Sequence, residues 1–410
     1  MSEVMDINIT EVIENVLDRS KWVKWKFSDL VENIVEKVVP KDSGLDHYIG
    51  LKHLDTGSLK IRRFGETESL IGDKLKIYKG DLIFAKRNSY LKRVAIAEFD
   101  AVASAHALVL RPNSENVNPD FLPFFMMSEK FWQRAIEISV GSLSPTINWK
   151  VLAKQEFLLP PKDQQAQLSK LLWAMDELIE KEHSTLENLE TNLNLNIESE
   201  IHGVSLKGKA IDQVLEEFSK KGELVSLLDL GELLKGKGIP KSDVKDAGLP
   251  CVRYGELYTK HHRIIRKFNS YVSEEDKVKS LLLKKNDVLF AGSGETITEI
   301  GKSAAFVNDI DAYAGSDILV FRPFDMNGYF LGYLMNSQFV RQQLNKYGTG
   351  ATVMHIYNSD LAKIKIPKME KEKQVEIAKF LESISKNIFS LESKIKSSLS
   401  LQKSLINQIF

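Results

Sequence analysis

DQQAQLSKLLWAMDELIEKEHSTLENLETNLNLNIESEI, residues 163–201, is the stretch on which the reading of the whole chain turns. Its apolar residues Leu168, Leu172, Met175, Ile179, Leu186, Leu189 and Leu193 follow a four-three spacing broken only at Glu182, which is the seam of a coiled coil. The same seam returns as Ile377, Leu381, Ile384, Ile388, Leu391 and Ile395, about 209 residues later. One such pattern alone is as readily a packing helix of a larger core. Two in register at a fixed separation indicate a duplicated chain. At 1.5 Å per residue, each helix of about 35 to 40 residues spans on the order of 50 Å, well beyond an ordinary globular helix. A pair of such helices can pack together and hold two globular parts apart.

Outward from these helices the copies cover nearly the whole chain. TEVIENVL (10–17) reads as a short helix with Thr10 as its N-cap, and its Val12, Ile13, Val16 and Leu17 are echoed by Ile211, Val214, Leu215 and Phe218. WKFSDLVENIVEKVVPKD then matches VSLLDLGELLKGKGIPKSD, with Asp29 against Asp229, Leu30 against Leu230 and Pro40 against Pro240. Beyond those prolines both halves turn to strand patterning: YIGLKHL (48–54) with CVRYGEL (251–257), GDLIF (80–84) with NDVLF (286–290), VAIAEF (94–99) with SAAFV (303–307), and ALVLRP (107–112) with ILVFRP (318–323). Helical segments follow from Phe121 and Phe330, then Gly-Ser-Thr segments at 141–152 and 350–361. Each half ends in a proline-terminated strand before its long helix. The expected architecture is α+β: two pseudo-symmetric strand-rich domains separated by a pair of long antiparallel coiled-coil helices.

The halves differ mainly in the loop after the GDLIF-type strand, FAKRNSYLKR in the first and FAGSGETITEIGK, about three residues longer, in the second. A shared framework with unlike loops is what two copies need to meet two different targets.

A length of 410 residues suits two domains plus connecting helices. With 27% charged, 9% aromatic and 43% apolar residues the composition is that of an ordinary soluble globular protein. No apolar run approaches ~18 residues, and the first 17 residues carry acids where a signal peptide has bases and an apolar core, so a cytoplasmic protein with no membrane partner is expected. The single cysteine, Cys251, leaves no internal disulfide and no cysteine-rich zinc site. Net charge is zero, but its distribution is uneven: about eleven bases against five acids from Lys52 to Arg93, and about nine against four from Cys251 to Lys285, while 163–200 is acidic. Basic lobes joined by an acidic helix suit a chain that touches phosphate with its lobes and something else with its helices.

Motifs for chemistry are sparse. FAGSG (290–294) has the Phe-x-Gly-x-Gly form of an S-adenosylmethionine loop, but strand patterning rather than a helix follows it, and the copy FAKRN has no glycine, so a turn in a recognition loop is preferred. NPDF (118–121) is one residue from the Asn-Pro-Pro-Tyr/Phe of amino-methyltransferases, yet its copy MNGYF has no proline, which favours a helix start. No Gly-x-x-x-x-Gly-Lys-Ser/Thr phosphate loop, His-Glu-x-x-His or zinc-ligand spacing is found, so neither a catalytic nor a metal site is expected. The loop tips remain. Lys86, Arg87, Asn88, Tyr90, Lys92 and Arg93 mix base readers with phosphate cations. The equivalent loop offers Ser293, Glu295, Thr296 and Lys302, with Glu295 a possible acceptor from cytosine, and Arg62, Arg63, Arg263, Arg266 and Lys267 read as backbone contacts.

Two unlike strand-rich domains, each with a GDLIF/NDVLF strand, an LVLRP/LVFRP strand, a Gly-Ser-Thr segment and a glutamine at the start of its long helix (Gln164-Gln165 and Gln374), resemble the specificity subunit of type I restriction-modification systems. The likeness covers almost the whole chain; one departure is GATVMHI, which lacks the proline of SLSPTI. The resemblance implies target-recognition domains at 1–161 and 203–367, each reading half of a split double-stranded DNA site, and spacer helices at 162–202 and 368–410. It further implies that the helices, through Leu168, Leu172, Met175, Ile179, Ile377, Leu381, Ile384 and Ile388, dock two modification subunits and restriction subunits. S-adenosylmethionine, ATP and Mg would then act on those partners, leaving this chain non-catalytic and without a cofactor of its own. The rival expectations are a stand-alone DNA methyltransferase or nuclease, and a coiled-coil adaptor that binds protein.

Overall fold

The computed structural model describes residues 19–202, 209–275, 280–296, 298–350 and 353–410. The helix expected at 10–17 lies outside them. The chain forms two compact units, the first from residues up to His183 together with Ser393–Phe410, the second from Ser184–Glu392. The central helix, Lys162–His202, and the C-terminal helix, Lys371–Ile409, are each continuous and each shared between the units rather than standing as separate bodies.

The first unit is built on a four-stranded sheet in the order Val31–Ile34, Ala107–Pro112, Leu82–Ala85, Val94–Ile96. The second repeats it: Gly231–Lys235, Ile318–Pro323, Val288–Ala291, Ser303–Ala305, with Arg263–Ile264 added at the edge. The unbroken apolar runs of the motif strands follow from burial on both faces. Leu82 and Phe84 enter one core while Ile83 and Ala85 enter another, and Val288 and Phe290 alternate with Leu289 and Ala291 in the same way.

One face of each sheet meets helices; the other meets a second sheet. In the first unit that second sheet runs Lys37–Val38, Lys74–Ile77, Ala101–Ala103, His47–Ile49, Gly65–Glu66. In the second it runs Ser270–Val272, Leu249–Val252, Tyr313–Ala314, Leu281–Leu282. Each second sheet contains one parallel pair at the matching place, Tyr48 against Val102 and Cys251 against Tyr313. Cys251 is fully buried there, and burial pushes its thiol up to about 12, which leaves it unreactive. The expected strands at 48–54 and 251–257 are shorter than their patterning suggested: each ends in a helical turn, Leu51–His53 and Tyr254–Thr259.

The repeated motifs are fastened by repeated polar contacts. Asp81 grips Arg111 through two hydrogen bonds of 2.8 and 2.9 Å, and Asp287 grips Arg322 through two of 2.9 and 2.7 Å. This is why GDLIF and LVLRP recur together: the aspartate before one strand neutralises the arginine ending its neighbour. The first-turn glutamines also recur. Gln165 Oε1 accepts from the Asn118 backbone N–H at 2.8 Å and its Nε2 donates to the Pro160 carbonyl at 2.8 Å. Gln374 does the same with Asn327 and Met369, at 3.0 and 2.9 Å. Asn327 in turn caps the helix Gly328–Leu334 by accepting from the Phe330 N–H, and Asn118 accepts from the Phe121 N–H in the turn that leads into Leu122–Met127, in keeping with the reading of NPDF as a helix start.

Within each unit the two long helices pack against each other. In the first, Gln402 meets Asp176 and Lys394 meets Glu182, a pairing that runs antiparallel. In the second, Leu193, Ile197 and Ile201 share a core with Ile377, Leu381 and Ile388.

Candidate nucleic-acid interface

The loop after the central strand and the Gly-Ser-Thr segment, far apart in sequence, are brought together in both units. In the first, Arg87 pairs with Thr146, the Ile147 N–H donates to the Lys86 carbonyl at 2.8 Å, and the Ser144 hydroxyl donates to Asn88 Oδ1 at 2.8 Å. Asn88 and Lys92, with φ of 53° and 47°, bracket a one-turn 3-10 helix over Ser89–Leu91 that carries Tyr90 outward. Thr146 also pairs with Val140, closing a five-residue tip, 141–145, in which Gly141 adopts a φ of 109°. In the second unit the same junction forms from Ser293 and Gly294 paired with His355 and Met354, Thr349 paired with His355, and the Ile356 N–H donating to the Gly292 carbonyl at 3.0 Å.

Beside the first junction lies an open concavity of about 780 Å³ whose lining includes Lys37, Lys86, Val140, Thr146 and Lys150 and no acidic residue. Arg87 Nη1 lies 3.2 Å from His106 Nε2. Burial, then Arg87, Lys86 and Lys74, hold the His106 imidazole below its usual range, and burial with Arg87 lowers the Lys86 ammonium. Cations therefore converge here, and only Lys37 among them has a carboxylate near it, Asp73 at 4.0 Å on the exposed surface; this is the electrostatics that a phosphate backbone neutralises. Sequence reading missed Lys37, His106 and Lys150, which lie on other strands and segments; the only available signal was the Gly-Ser-rich composition of 141–145.

Most of the other expected contact residues have partners inside their own units. Arg62 is paired with Glu180 of the central helix, and Arg63 with Asp55. Arg266 takes Glu382 of the C-terminal helix in two hydrogen bonds of 3.1 and 2.7 Å and lies 4.7 Å from the Phe389 ring centroid. Arg263 Nη2 donates to Asn194 at 2.7 Å. Lys92 is held by Glu129, and Arg93 donates to the Leu51 carbonyl at 2.6 Å. Lys267, Glu295 and Thr296 are exposed, and Lys302 reaches the Tyr258 carbonyl at 3.4 Å.

In FAGSG the glycines are packed against neighbouring backbone and side chain. A Cβ at Gly292 would lie 2.9 Å from the Asp317 carbonyl, and one at Gly294 2.6 Å from the Tyr258 hydroxyl, so the glycines let the loop lie against the protein itself. Ser293–Gly294 is a short strand, and among the described residues no helix opens directly behind it. No group of three or more His, Cys, Asp or Glu among the described residues is placed to hold a metal. Nor is any helix of the described residues long and apolar enough to cross a membrane.

Of the eight apolar helix residues expected to meet partners, Leu168, Leu172, Ile179, Ile377, Leu381 and Ile388 are buried inside their own units, and Met175 and Ile384 are half-buried. The outward apolar surface is a different one. In the first unit Leu171, Met175, Leu178, Leu401 and Leu405 line a groove of about 390 Å³ between the two helices. On the helices of the second unit Leu195, Phe380 and Phe389 are exposed, and Phe380 is the copy of Leu171.

A family model for the type I restriction modification DNA specificity domain matches residues 20–191 and again 220–401. The MjaVIII type I restriction enzyme specificity subunit of Methanocaldococcus jannaschii is 25% identical over 278 residues, which are 65% of this chain and 63%, just under two thirds, of that protein. The putative MjaX specificity subunit of the same organism is 24% identical over 383 residues, 87% of this chain and 84% of that one. Among solved structures, the S subunit of a type I restriction-modification system from M. genitalium superposes with a TM-score of 0.56 at 12% identity, covering 95% of this chain and 96% of the other. A chain from a study of complex assembly and conformational transition of the type I R-M system gives 0.54 at 18%, with the same coverage. These two likenesses speak to fold.

Proposed function

The chain belongs to the type I restriction modification DNA specificity domain family, of which it carries two copies, and from this premise we propose that each unit reads one half of a split double-stranded DNA target. The observation that carries the proposal is the repeated junction of two loops, built on identical strand order in both units but with unlike side chains. The first junction is cationic, with Lys86, Arg87 and Asn88 at the base-reading position and Lys37 and Lys150 toward the phosphates. The second offers Ser293, Glu295 and Thr296, so the two half-sites differ in sequence.

The long helices dock two modification subunits, one on each outward apolar surface, using Leu171, Leu178 and Leu401 in the first unit and Phe380 in the second. S-adenosylmethionine-dependent methyl transfer to adenine takes place on those subunits. ATP- and Mg-dependent cleavage belongs to restriction subunits. The chain itself supplies recognition and no catalysis.

The test is DNA binding as a function of salt. Binding weakens steeply between ~50 and 200 mM salt; Lys150→Ala lowers the slope by about one counterion, whereas Arg87→Ala relaxes the base preference of the first half-site. Salt-insensitive or absent DNA binding favours a protein adaptor instead. Methyl transfer to DNA by the purified chain alone favours a stand-alone enzyme.

A further inference from the structure

The Gly141–Pro145 tip ends in Leu143, which is 96% exposed, next to Val140 at 76%. A leucine so fully in water has no packing role in its own unit. It is nevertheless held in place. The tip is closed by reciprocal hydrogen bonds between Val140 and Thr146, of 3.0 and 2.9 Å, and braced by the Ser144 hydroxyl on Asn88. The Ser89 N–H reaches the Pro145 carbonyl at 3.3 Å, tying the tip to the reading loop a second time. Lys86 and Arg87 lie at its base, and the concavity that Val140 shares with Lys37 and Lys150 has no acidic lining. An apolar point on a braced loop ringed by cations matches DNA in two respects: phosphates for the cations, and an apolar base edge for the point. The one apolar group on the major-groove edge of a base is the thymine C5 methyl.

We propose that Leu143 contacts a thymine methyl in the half-site read by the first unit and so fixes thymine at one position of the target. The inference rests on the DNA-reading assignment above and names one contact within it.

The experiment is selection of bound sequences from a random DNA library by the full chain with its partner subunits, for wild type, Leu143→Ala and Leu143→Met. The expected result is a two-part site in which Leu143→Ala loses preference for thymine at a single position of one half, while Leu143→Met keeps it. Replacing that thymine by uracil, which removes only the methyl, weakens wild-type binding by roughly three- to fivefold, the worth of one buried methyl, and leaves Leu143→Ala unchanged. An unaltered preference in Leu143→Ala overturns the inference and leaves the DNA-reading assignment standing. A uniform loss of affinity for all sequences also overturns it, since that marks a wedge or backbone contact. If wild type selects no sequence, the DNA-reading assignment falls and the inference with it.

Discussion

Asp176 lies on the central helix with one carboxylate oxygen buried and without a hydrogen-bond partner, while the other accepts from Gln402 at 3.3 Å. Burial, and then the neighbouring Glu180, lift its carboxyl above the usual range, against the opposing pull of Gln402. The folded chain therefore binds this proton more tightly than the unfolded chain. Between the ordinary aspartate value near ~4 and the raised folded value, stability falls as pH rises. Asp176→Asn is expected to raise the urea midpoint at pH 7 and to flatten that decline; an unchanged or lower midpoint at pH 7 counts against it. The buried Asp–Arg pairs predict the opposite sign. Removing one partner of a buried ion pair costs about 3–5 kcal/mol. Asp287→Asn approaches that range, because Arg322 is only 17% exposed, and Asp81→Asn costs less, because Arg111 at 44% regains water. Paired denaturation curves of the two variants check the order. At this scale the motif aspartates and arginines were legible as a repeat, yet their pairing was not, since partners 30 and 35 residues apart meet only when their strands do.

Among the elements, the long helices show most clearly how much periodicity conveys. The four-three seam correctly picked out the faces that pack inside each unit, because burial of an apolar stripe is what such spacing specifies. It did not pick out the apolar residues left exposed on these helices, since Leu178 and Leu401 fall outside the seam. Asp at Leu178 or Leu401 is expected to leave the denaturation midpoint within about 0.5 kcal/mol of wild type, as for other exposed sites. The same variants are expected to abolish co-elution with a modification subunit; retained co-elution rejects the groove as the docking surface. The glutamine clamps predict a purely structural effect. Gln165→Ala and Gln374→Ala each lose two hydrogen bonds and should destabilise by about 1–3 kcal/mol in chemical denaturation, without altering which DNA sequence is selected.

Over the whole molecule, doubling is the property from which the rest follows. If helix length sets the gap between half-sites, inserting four residues after Leu186 lengthens the preferred gap and leaves both half-sites unchanged. A library selection reads this directly, and an unchanged gap rejects the ruler. The sequence by itself determined the duplication, the order of elements, the two long helices and the absence of familiar catalytic motifs, because periodicity and repetition are local or translational signals that need no coordinates. Only the tertiary structure decided which cations are answered by a carboxylate. Arg62 and Arg266 carry the same charge as Lys86 and Arg87, but they are taken by Glu180 and Glu382, 118 and 116 residues away. Likewise the tip that carries Leu143 meets the loop of Asn88 across 56 residues of chain. Composition records that a basic residue or an exposed loop exists; whether it is free to meet a ligand depends on what folding has placed beside it.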